Sequence, residues 1–257
     1  VSISKLNPDG SDLIYATYRG GSTGEYPNTL LVSEQDELVV FGVTSSSDFP
    51  TGTGAFDPSY NGDSDFTVTK FSQDGSAIVG STYMGSAGYE SMLSMGPGGG
   101  GDAFTDEIGN VYCVSGTGSG FPTTPGAYQP AFGGGEFDGV VFCLNNDLTL
   151  LNWSTYLGST NDEICSGLAR DAQGDIYLIG STRSSGFPTT PGTFQQALSG
   201  GADAYVAKLS GDGSALLYGT FFGTDMDDYG CFIQLDINGD VFVHGTTGGA
   251  IPIQPVG

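Results

Sequence analysis

The sequence predicts an all-β fold, a β-propeller built of four-stranded antiparallel blades. A pattern of short apolar stretches and turn residues recurs four times in the 257 residues, at a spacing of about 65 residues. No window places apolar residues at helical spacing over a helix-sized length. Repeats that each hold four antiparallel strands are typical of propeller blades, whereas solenoid repeats are usually shorter.

Each unit opens with a strand, a tight turn and a second strand. The turn contains Asp-Gly in three of the four units, and Asp-Gly between apolar runs favours a hairpin because glycine accepts positive φ. The opening strands are VSISKL (1–6), FTVTKF (66–71), GVVFCL (139–144) and AYVAKL (204–209). The second strands are LIYATY, IVGSTY, LNWSTY and LLYGTF.

The second half of each unit holds an acidic Gly-rich loop, two further strands and a closing Phe-Pro or Ile-Pro pair. We interpret these pairs as anchors for the linker to the next unit. The predicted units cover residues 1–64, 65–137, 138–202 and 203–257, with one blade each, in a single domain. Four blades could close on themselves or belong to a bigger ring in a larger protein, and the sequence leaves both alternatives open.

The charge composition is strongly acidic. There are 29 Asp and Glu residues against six Lys and Arg, which gives a net charge of −23. Such a surface repels phosphate backbones and anionic lipid, so nucleic-acid binding is not expected. No apolar run approaches the roughly 18–20 residues that span a bilayer, so membrane insertion is not expected either.

The four cysteines allow one plausible disulfide. Cys113 ends one unit and Cys143 begins the next, whereas Cys165 and Cys231 occupy equivalent places in neighbouring units and should lie too far apart. We favour free, buried thiols, because cysteine behaves as a small apolar residue.

All three lysines occupy one repeat position, where the third unit has Cys143. If the opening strand lines the central channel, Lys5, Lys70 and Lys208 form a basic ring that could bind an anionic ligand. The alternative, which we favour, is a repeated ion pair. Its acids would be repeated ones, such as Asp65, Asp138 and Asp203.

A second repeated feature is an acid that follows the Gly-rich loop. Carboxylates on such loops suit Ca²⁺, so calcium is the one cofactor considered. The richest local cluster, from Asp225 to Gly230, lacks the terminal Glu of a twelve-residue calcium loop. The alternatives to a calcium site are carboxylates that accept backbone N–H bonds within the loop, or a solvated loop without a role. The candidate ligands are Asp225, Asp227, Asp228, Asp162 and Glu163.

The second unit is longer than its neighbours between Glu90 and Phe104. Insertions that break a repeat often form binding loops. Tyr89, Met92 and Met95 could make an adaptable apolar contact there, and the alternative is a Gly-rich linker without a role.

These repeats resemble a known family. The blocks DAYVAKLSGDGSALLYGTFFG (203–223), GDIYLIGST (174–182) and FPTTPG (187–192) are similar to the bacterial β-propeller repeat called SBBP. The resemblance covers essentially the whole chain and implies a propeller in a secreted or surface protein, of a kind frequent in Bacteroidota and often exported by type IX secretion. It implies no catalytic residues.

We therefore expect a non-enzymatic module, extracellular or on the cell surface. It would be a scaffold for binding or assembly with other surface proteins, secretion-system proteins or glycans. The alternative is a polysaccharide hydrolase or lyase that uses two loop carboxylates, although no pair stands out. The single histidine, His244, excludes a metal site built on several histidines.

Overall fold

The computed structural model describes residues 1–91 and 100–251, and within these ranges it contains seventeen β-strands and no α-helix. The strands are β1 (Ser2–Leu6), β2 (Leu13–Tyr18), β3 (Glu25–Val32), β4 (Leu38–Thr44), β5 (Asp65–Phe71), β6 (Ile78–Met84), β7 (Glu90–Ser91), β8 (Asp102–Thr105), β9 (Val111–Thr117), β10 (Asp138–Leu144), β11 (Leu151–Leu157), β12 (Glu163–Arg170), β13 (Ile176–Thr182), β14 (Asp203–Leu209), β15 (Leu216–Phe222), β16 (Asp228–Leu235) and β17 (Val241–Thr247).

The strands form three complete sheets and two half-sheets. The first complete sheet has the order β3-β4-β5-β6, and the third has the order β12-β13-β14-β15. The second has the order β9-β10-β11, and both β7 and β8 pair with the free side of β9. The half-sheets are β1-β2 and β16-β17. All of these pairings are antiparallel, which confirms the predicted all-β class and its four-stranded sheets.

The sheets are out of phase with the sequence repeat. We predicted one blade from each unit, but every complete sheet combines the last two strands of one unit with the first two of the next. The reason is the pairing of the fourth strand with the next opening strand, which runs from Thr44↔Asp65 to Leu38↔Phe71 in the first sheet. The acidic Gly-rich loop after each second strand then carries the chain into the neighbouring sheet.

The leading strands of successive sheets contact one another. Contacts join β3 to β8, β8 to β12 and β12 to β16, so these strands lie where the sheets converge. The lysine-bearing opening strands β5 and β14 are third in their sheets. The expectation that the opening strand lines the channel is therefore wrong, because half a repeat separates the sequence unit from the sheet.

Two apolar clusters hold the sheets together. Phe41, Phe66 and Phe142 meet between the first two sheets, with ring centroids 5.5–6.2 Å apart. A second cluster lies between the second and third sheets and includes Trp153 and Tyr205. As a large aromatic residue on a second strand, Trp153 is predicted to pack between blades, and it does: its ring lies against the turn glycine of the next sheet. Burial of these faces is the main favourable term in such a fold.

The Phe-Pro pairs anchor the linkers, as predicted. The amide of Phe49 donates to the Tyr83 hydroxyl at 2.9 Å, and that hydroxyl donates to the carbonyl of Ser46 at 2.8 Å. Phe121 and Tyr156 repeat the first contact at 2.8 Å in the next sheet. Each tyrosine thus ties the chain that leaves the fourth strand to the outer strand of the following hairpin.

All four cysteines are buried thiols outside any disulfide, in agreement with the alternative that we favoured. Burial raises the pKa of Cys143 to about 11 and that of Cys165 to about 12, because a thiolate is poorly solvated in an apolar interior. The part of the chain that the structure describes contains no helix long and apolar enough to cross a membrane.

Candidate functional site

The two half-sheets leave strand edges without partners. In each complete sheet the fourth strand of one unit pairs with the opening strand of the next over seven residues, as from Thr182↔Asp203 to Ile176↔Leu209. Among residues 1–91 and 100–251, β17 pairs only with β16, and β1 pairs only with β2. Within the described residues, the two kinds of hairpin that complete sheets join are therefore separate in β16-β17 and β1-β2.

The half-sheets also expose apolar side chains. Every residue of β4 and of β9 is buried, whereas β17 is largely exposed and its Phe242 is 63% exposed. On the other half-sheet Leu13 is 57% and Tyr18 is 88% exposed. The equivalent side chains of the complete sheets are covered by strands of the adjacent repeat.

The lysine position is used differently in each sheet. Lys70 is 1% exposed and its ammonium donates to the carbonyl of Gly109 at 2.8 Å and to Asn146. It also lies 3.4 Å from a carboxylate oxygen of Glu37. Burial lowers the pKa of Lys70, and Glu37 opposes that shift.

Lys208 lies between two carboxylates. Its ammonium is 2.9 Å from Asp171 and 2.9 Å from Asp175, the first and last residues of the turn between β12 and β13. It also lies 4.8 Å from the ring centre of Tyr177. Burial lowers the pKa of Lys208, but the hydrogen bonds to the two aspartates outweigh that and raise it above its usual range. This is a compact, largely shielded ion cluster.

Lys5 lies at the exposed half-sheet. Its ammonium donates to the carbonyl of Gln73 at 3.3 Å and lies 6.0 Å from the ring centre of Tyr15. It also lines an apolar groove of 710 Å³ between β1 and β3, together with Ile3 and Leu31. Among the described residues it has no carboxylate partner comparable to those of the other two lysines.

Our prediction of which acids pair with the lysines was wrong. We predicted acids at the start of the opening strands, but Lys70 and Lys208 pair with acids of the turn between the third and fourth strands. The reason is again the half-repeat offset. It places that turn beside the far end of the next opening strand, where the lysine lies. Asp65, Asp138 and Asp203 begin those strands and lie at the opposite end.

The repeated acids at strand starts meet instead at the junctions between sheets. Asp65 of the first sheet and Glu90 of the second are fully buried. A Cβ added to Gly85 would lie 2.3 Å from Asp65 Oδ1 and 2.9 Å from Glu90 Oε2, and neither oxygen has a donor. Burial raises the pKa of Asp65 to about 6 and that of Glu90 to about 8. Two buried carboxyl groups so placed favour retention of a proton.

The next junction repeats this arrangement. A Cβ at Gly158 would lie 2.5 Å from Asp138 Oδ1 and 2.7 Å from Glu163 Oε2. Burial raises the pKa of Asp138 to about 7 and also raises that of Glu163. Glu163 Oε2 accepts from the Ser159 amide at 2.6 Å, and Glu163 Oε1 accepts from the Thr182 hydroxyl at 2.6 Å. Glycine is required at Gly85 and Gly158 because the carboxylate oxygens occupy the space that a Cβ would need.

The first leading strand departs from this pattern. Glu25 lies beside Arg19, whose guanidinium is 4% exposed and stacks 4.1 Å from the ring centre of Phe49. Burial lowers the pKa of Arg19 to about 9. Although burial opposes it, hydrogen bonds from Ser46 and Gly21 lower the pKa of Glu25.

The carboxylates proposed for calcium act within their loops. Asp228 accepts from the amide and the hydroxyl of Thr224, and Asp162 accepts from the amide of Glu136 at 2.7 Å and pairs with Arg183 at 3.6 Å. Asp225 and Asp227 are exposed. No group of three His, Cys, Asp or Glu side chains suited to a metal occurs in residues 1–91 and 100–251. Calcium binding stays a prediction.

The residues proposed for the insertion are only partly described. Tyr89 is 43% exposed and its ring centre lies 6.1 Å from that of Phe137. Met92 and Met95 lie outside the described residues. The predicted apolar contact surface of this loop stays a prediction.

Comparison with known proteins agrees with this architecture. A family model described as a beta-propeller repeat, SBBP, matches residues 152–188. The chain contains an SBBP β-propeller repeat. The matched SBBP segment runs from β11, through the leading strand β12, to the Phe187-Pro188 anchor. It therefore spans the junction between the second and third sheets.

One solved structure resembles this chain over most of its length. It is the crystal structure of a protein of unknown function from Dyadobacter fermentans DSM 18053, with a TM-score of 0.50 and 14% sequence identity. The alignment covers 89% of this chain and 64% of the other. At this identity the likeness shows the fold alone. No curated protein matches the chain.

Sequence reasoning missed the turn acids that hold the lysines. The sequence does contain a signal for these acids, because the residue at the lysine position and the last residue of the facing turn change together. The turn that serves Lys70 ends in Glu37 and the one that serves Lys208 ends in Asp175. In the second sheet, where Cys143 replaces the lysine, the corresponding turn ends in Asn110. Comparing each turn with the opening strand of the following unit, and not with that of its own unit, would have shown this pairing.

Proposed function

We propose that this chain is a non-enzymatic β-propeller module that acts as a scaffold for binding or assembly with proteins or glycans. The observation that supports this most directly is the structural use of the repeated polar residues. The repeated junction acids are buried, and Lys70 and Lys208 are held by acids of neighbouring turns. Repeated polar residues that hold the sheets together suit a scaffold better than a catalyst.

The accessible chemistry favours binding over hydrolysis. A glycosidase needs two carboxyl groups on either side of a substrate. The carboxyl pairs with raised pKa values, Asp65 with Glu90 and Asp138 with Glu163, are all 0% exposed and lie between sheets. The alternative of a polysaccharide hydrolase or lyase would therefore need a different pair.

A location outside the cell or at its surface belongs to the same proposal. It rests on the resemblance to secreted SBBP proteins and on the low number of basic residues, which leaves a surface without attraction for nucleic acid. Partners among surface proteins, secretion-system proteins or glycans follow from that location. No resident cofactor is part of the proposal.

A parallel assay of turnover and binding tests the proposal. The full chain is incubated with a panel of plant and marine polysaccharides and, separately, applied to a glycan array and to candidate surface proteins. We expect binding without release of reducing ends or unsaturated products. Turnover that disappears when one acid pair is replaced by amides would overturn the non-enzymatic role and establish the enzyme alternative.

A further inference from the structure

A lysine, a carboxylate and a side-chain amide meet at the junction between the first and second sheets. Lys70 lies on β5 of the first sheet, and Glu37 ends the turn before β4 of the same sheet. Asn146 lies in the turn between β10 and β11 of the second sheet. The Lys70 ammonium donates to Asn146 Oδ1 and lies 3.4 Å from Glu37 Oε2. The lysine therefore touches both an amide from the other sheet and a carboxylate from its own.

The reacting groups are held in place by packing. Lys70 is 1% exposed, and its nitrogen also donates to the carbonyl of Gly109 at 2.8 Å. A Cβ at Gly109 would lie 2.8 Å from Asn146 Cγ, so the amide carbon is packed against that turn. Because Oδ1 is bonded to Cγ, the lysine nitrogen lies beside the amide carbon. Two groups fixed in this way react as if at very high concentration.

The surroundings of Lys70 favour a reactive amine. Burial lowers the pKa of Lys70, and Glu37 opposes that shift. A lysine that has lost its proton is a nucleophile. Lys208 differs, because the hydrogen bonds to Asp171 and Asp175 raise its pKa and keep it an ammonium.

The lysine and the amide are exchanged together in the next junction. There Cys143 takes the place of Lys70, and Gly211 takes the place of Asn146. Gly211 packs on the turn at Gly174 as Asn146 packs on the turn at Gly109. The amine and the amide are therefore present at one junction and replaced at the next.

We infer that Lys70 and Asn146 become joined by an amide bond formed within the chain, with Glu37 as the proton carrier. Glu37 takes a proton from the ammonium, and the neutral Nζ attacks Asn146 Cγ. Glu37 passes that proton to Nδ2, the Cγ–Nδ2 bond breaks and ammonia leaves. Glu37 then takes a second proton from Nζ, which leaves a neutral amide. No oxidant or cofactor is consumed.

The bond would fasten the first sheet to the second. The two residues are 76 positions apart in the chain, so the link closes a long loop and restricts the unfolded state. The contacts described above are those of the chain before the bond forms. The inference is independent of the proposed scaffold role, because it concerns how the module is held together and not what it binds.

Mass spectrometry of the intact full chain tests the inference. The native chain should be lighter than its sequence by the mass of one ammonia molecule. Lys70→Arg and Asn146→Ala should each show no such loss, and Lys5→Arg, at the equivalent position of another unit, should keep it. Glu37→Gln retains both reacting groups and should slow the reaction by about a hundredfold or more.

Peptide mapping locates the bond. Lys70 is the one Lys or Arg between Arg19 and Arg170, and a lysine whose amine is acylated resists trypsin. The denatured native chain should therefore give one peptide of residues 20–170, whereas Asn146→Ala should be cut after Lys70.

Three results would overturn the inference. They are a native chain of full mass that is cut after Lys70, an ammonia loss that persists in Lys70→Arg, and an unchanged rate in Glu37→Gln. A loss that persists in Lys70→Arg would identify a cyclised asparagine instead. Each result would leave the proposed scaffold role standing, since that role is tested by binding and turnover.

Discussion

The side chain of Leu148 fills the space left by Gly80 on the neighbouring sheet. A Cβ at Gly80 would lie 3.3 Å from both Leu148 Cγ and Cδ1. Leu148 is fully buried although its φ is +57°. The other junctions reverse this arrangement, since Tyr15 packs on Gly75 and Trp153 packs on Gly213. One large side chain is present at each such contact, and either strand can supply it.

Exchanging the two residues should show that they are coupled. Gly80→Tyr alone should destabilise the fold because the ring collides with Leu148, and Leu148→Gly alone should cost about 2–4 kcal/mol through the cavity that it leaves. The double variant reproduces the Tyr15–Gly75 arrangement, so it should be more stable than the sum of the two changes predicts. Denaturant unfolding of the four proteins gives the interaction energy, expected at about 1–3 kcal/mol.

An interaction energy near zero would contradict this relationship. A matched control is the pair Gly80→Tyr with Leu217→Gly, since Leu217 is 45% exposed on a different sheet. Changes at these two sites should simply add, because they share no neighbour.

The Tyr156 hydroxyl should contribute measurably to linker docking. It accepts from the amide of Phe121 at 2.8 Å and donates to the carbonyl of Gly118 at 3.0 Å. Tyr156→Phe would leave both groups buried without a partner, so the free energy of unfolding should fall by about 1–3 kcal/mol. Thermal unfolding measures the change. Tyr18→Phe is the control because Tyr18 is 88% exposed, and an equal loss there would contradict the assignment.

The third sheet explains why a hydroxyl is dispensable at one junction. Phe221 takes the place of the tyrosine, and the amide of Phe187 bonds to the carbonyl of Ser184 at 3.1 Å instead. The ring of Phe187 stacks on that of Tyr205 with centroids 4.3 Å apart. The sequence change is therefore accompanied by a different partner for the same amide.

The three lysines should differ in their effect on stability. Lys70→Met removes a buried ammonium from Glu37 and Gly109, and should lower the free energy of unfolding by about 2 kcal/mol. Lys208→Met should have a comparable effect because two carboxylates then face each other. Lys5→Met should change it by less than about 0.5 kcal/mol, because the Lys5 ammonium makes only an exposed hydrogen bond to Gln73. Equal effects at all three sites would contradict the contacts described.

Stability should fall as the pH rises through neutrality. Asp65, Asp138 and Glu90 have pKa values raised to about 6, 7 and 8 by burial, so the folded state holds protons that the unfolded chain releases near pH 4. The stabilisation that these protons provide is complete below the unfolded values and is lost as the pH rises through the folded ones. Melting temperature measured from about pH 5 to about pH 9 should therefore decrease.

An amide variant should reduce that dependence. Glu90→Gln keeps the shape of a protonated carboxyl group, and its NH2 can take the place of Oε2, which has no donor, and donate to Asp65. The variant should show a smaller fall in melting temperature and should be more stable than the native chain at about pH 8. Glu34→Gln, on the surface, should leave the profile unchanged. A native profile that rises over this range would refute shared protons at the junctions.

The thiols should be inert until the protein unfolds. Cys113 and Cys165 are fully buried, and burial raises the pKa of both thiols, so little thiolate forms at neutral pH. A chromogenic thiol reagent should detect essentially no reaction in the native chain and four thiols in denaturant without reductant. Two thiols in denaturant would instead indicate a disulfide, with Cys113 and Cys143 as the nearest candidates by position.

The sequence by itself determined the strands, the turns and their repetition. Alternating apolar residues, Asp-Gly turns and Phe-Pro pairs specify local structure, because each depends on backbone preference and on neighbours within one hairpin. Buried thiols and the inter-sheet position of Trp153 also followed from residue type. All of these properties are local, or depend only on whether a side chain prefers to be buried.

Only the tertiary structure decided which strands share a sheet. The half-repeat offset comes from pairing across the long Pro/Gly linker, which no local signal encodes. That offset moved the lysines away from the channel, gave them Glu37, Asp171 and Asp175 as partners, and brought Asp65 against Glu90. Contacts between residues far apart in the chain are fixed by how sheets stack, and stacking depends on the shape of the whole buried surface.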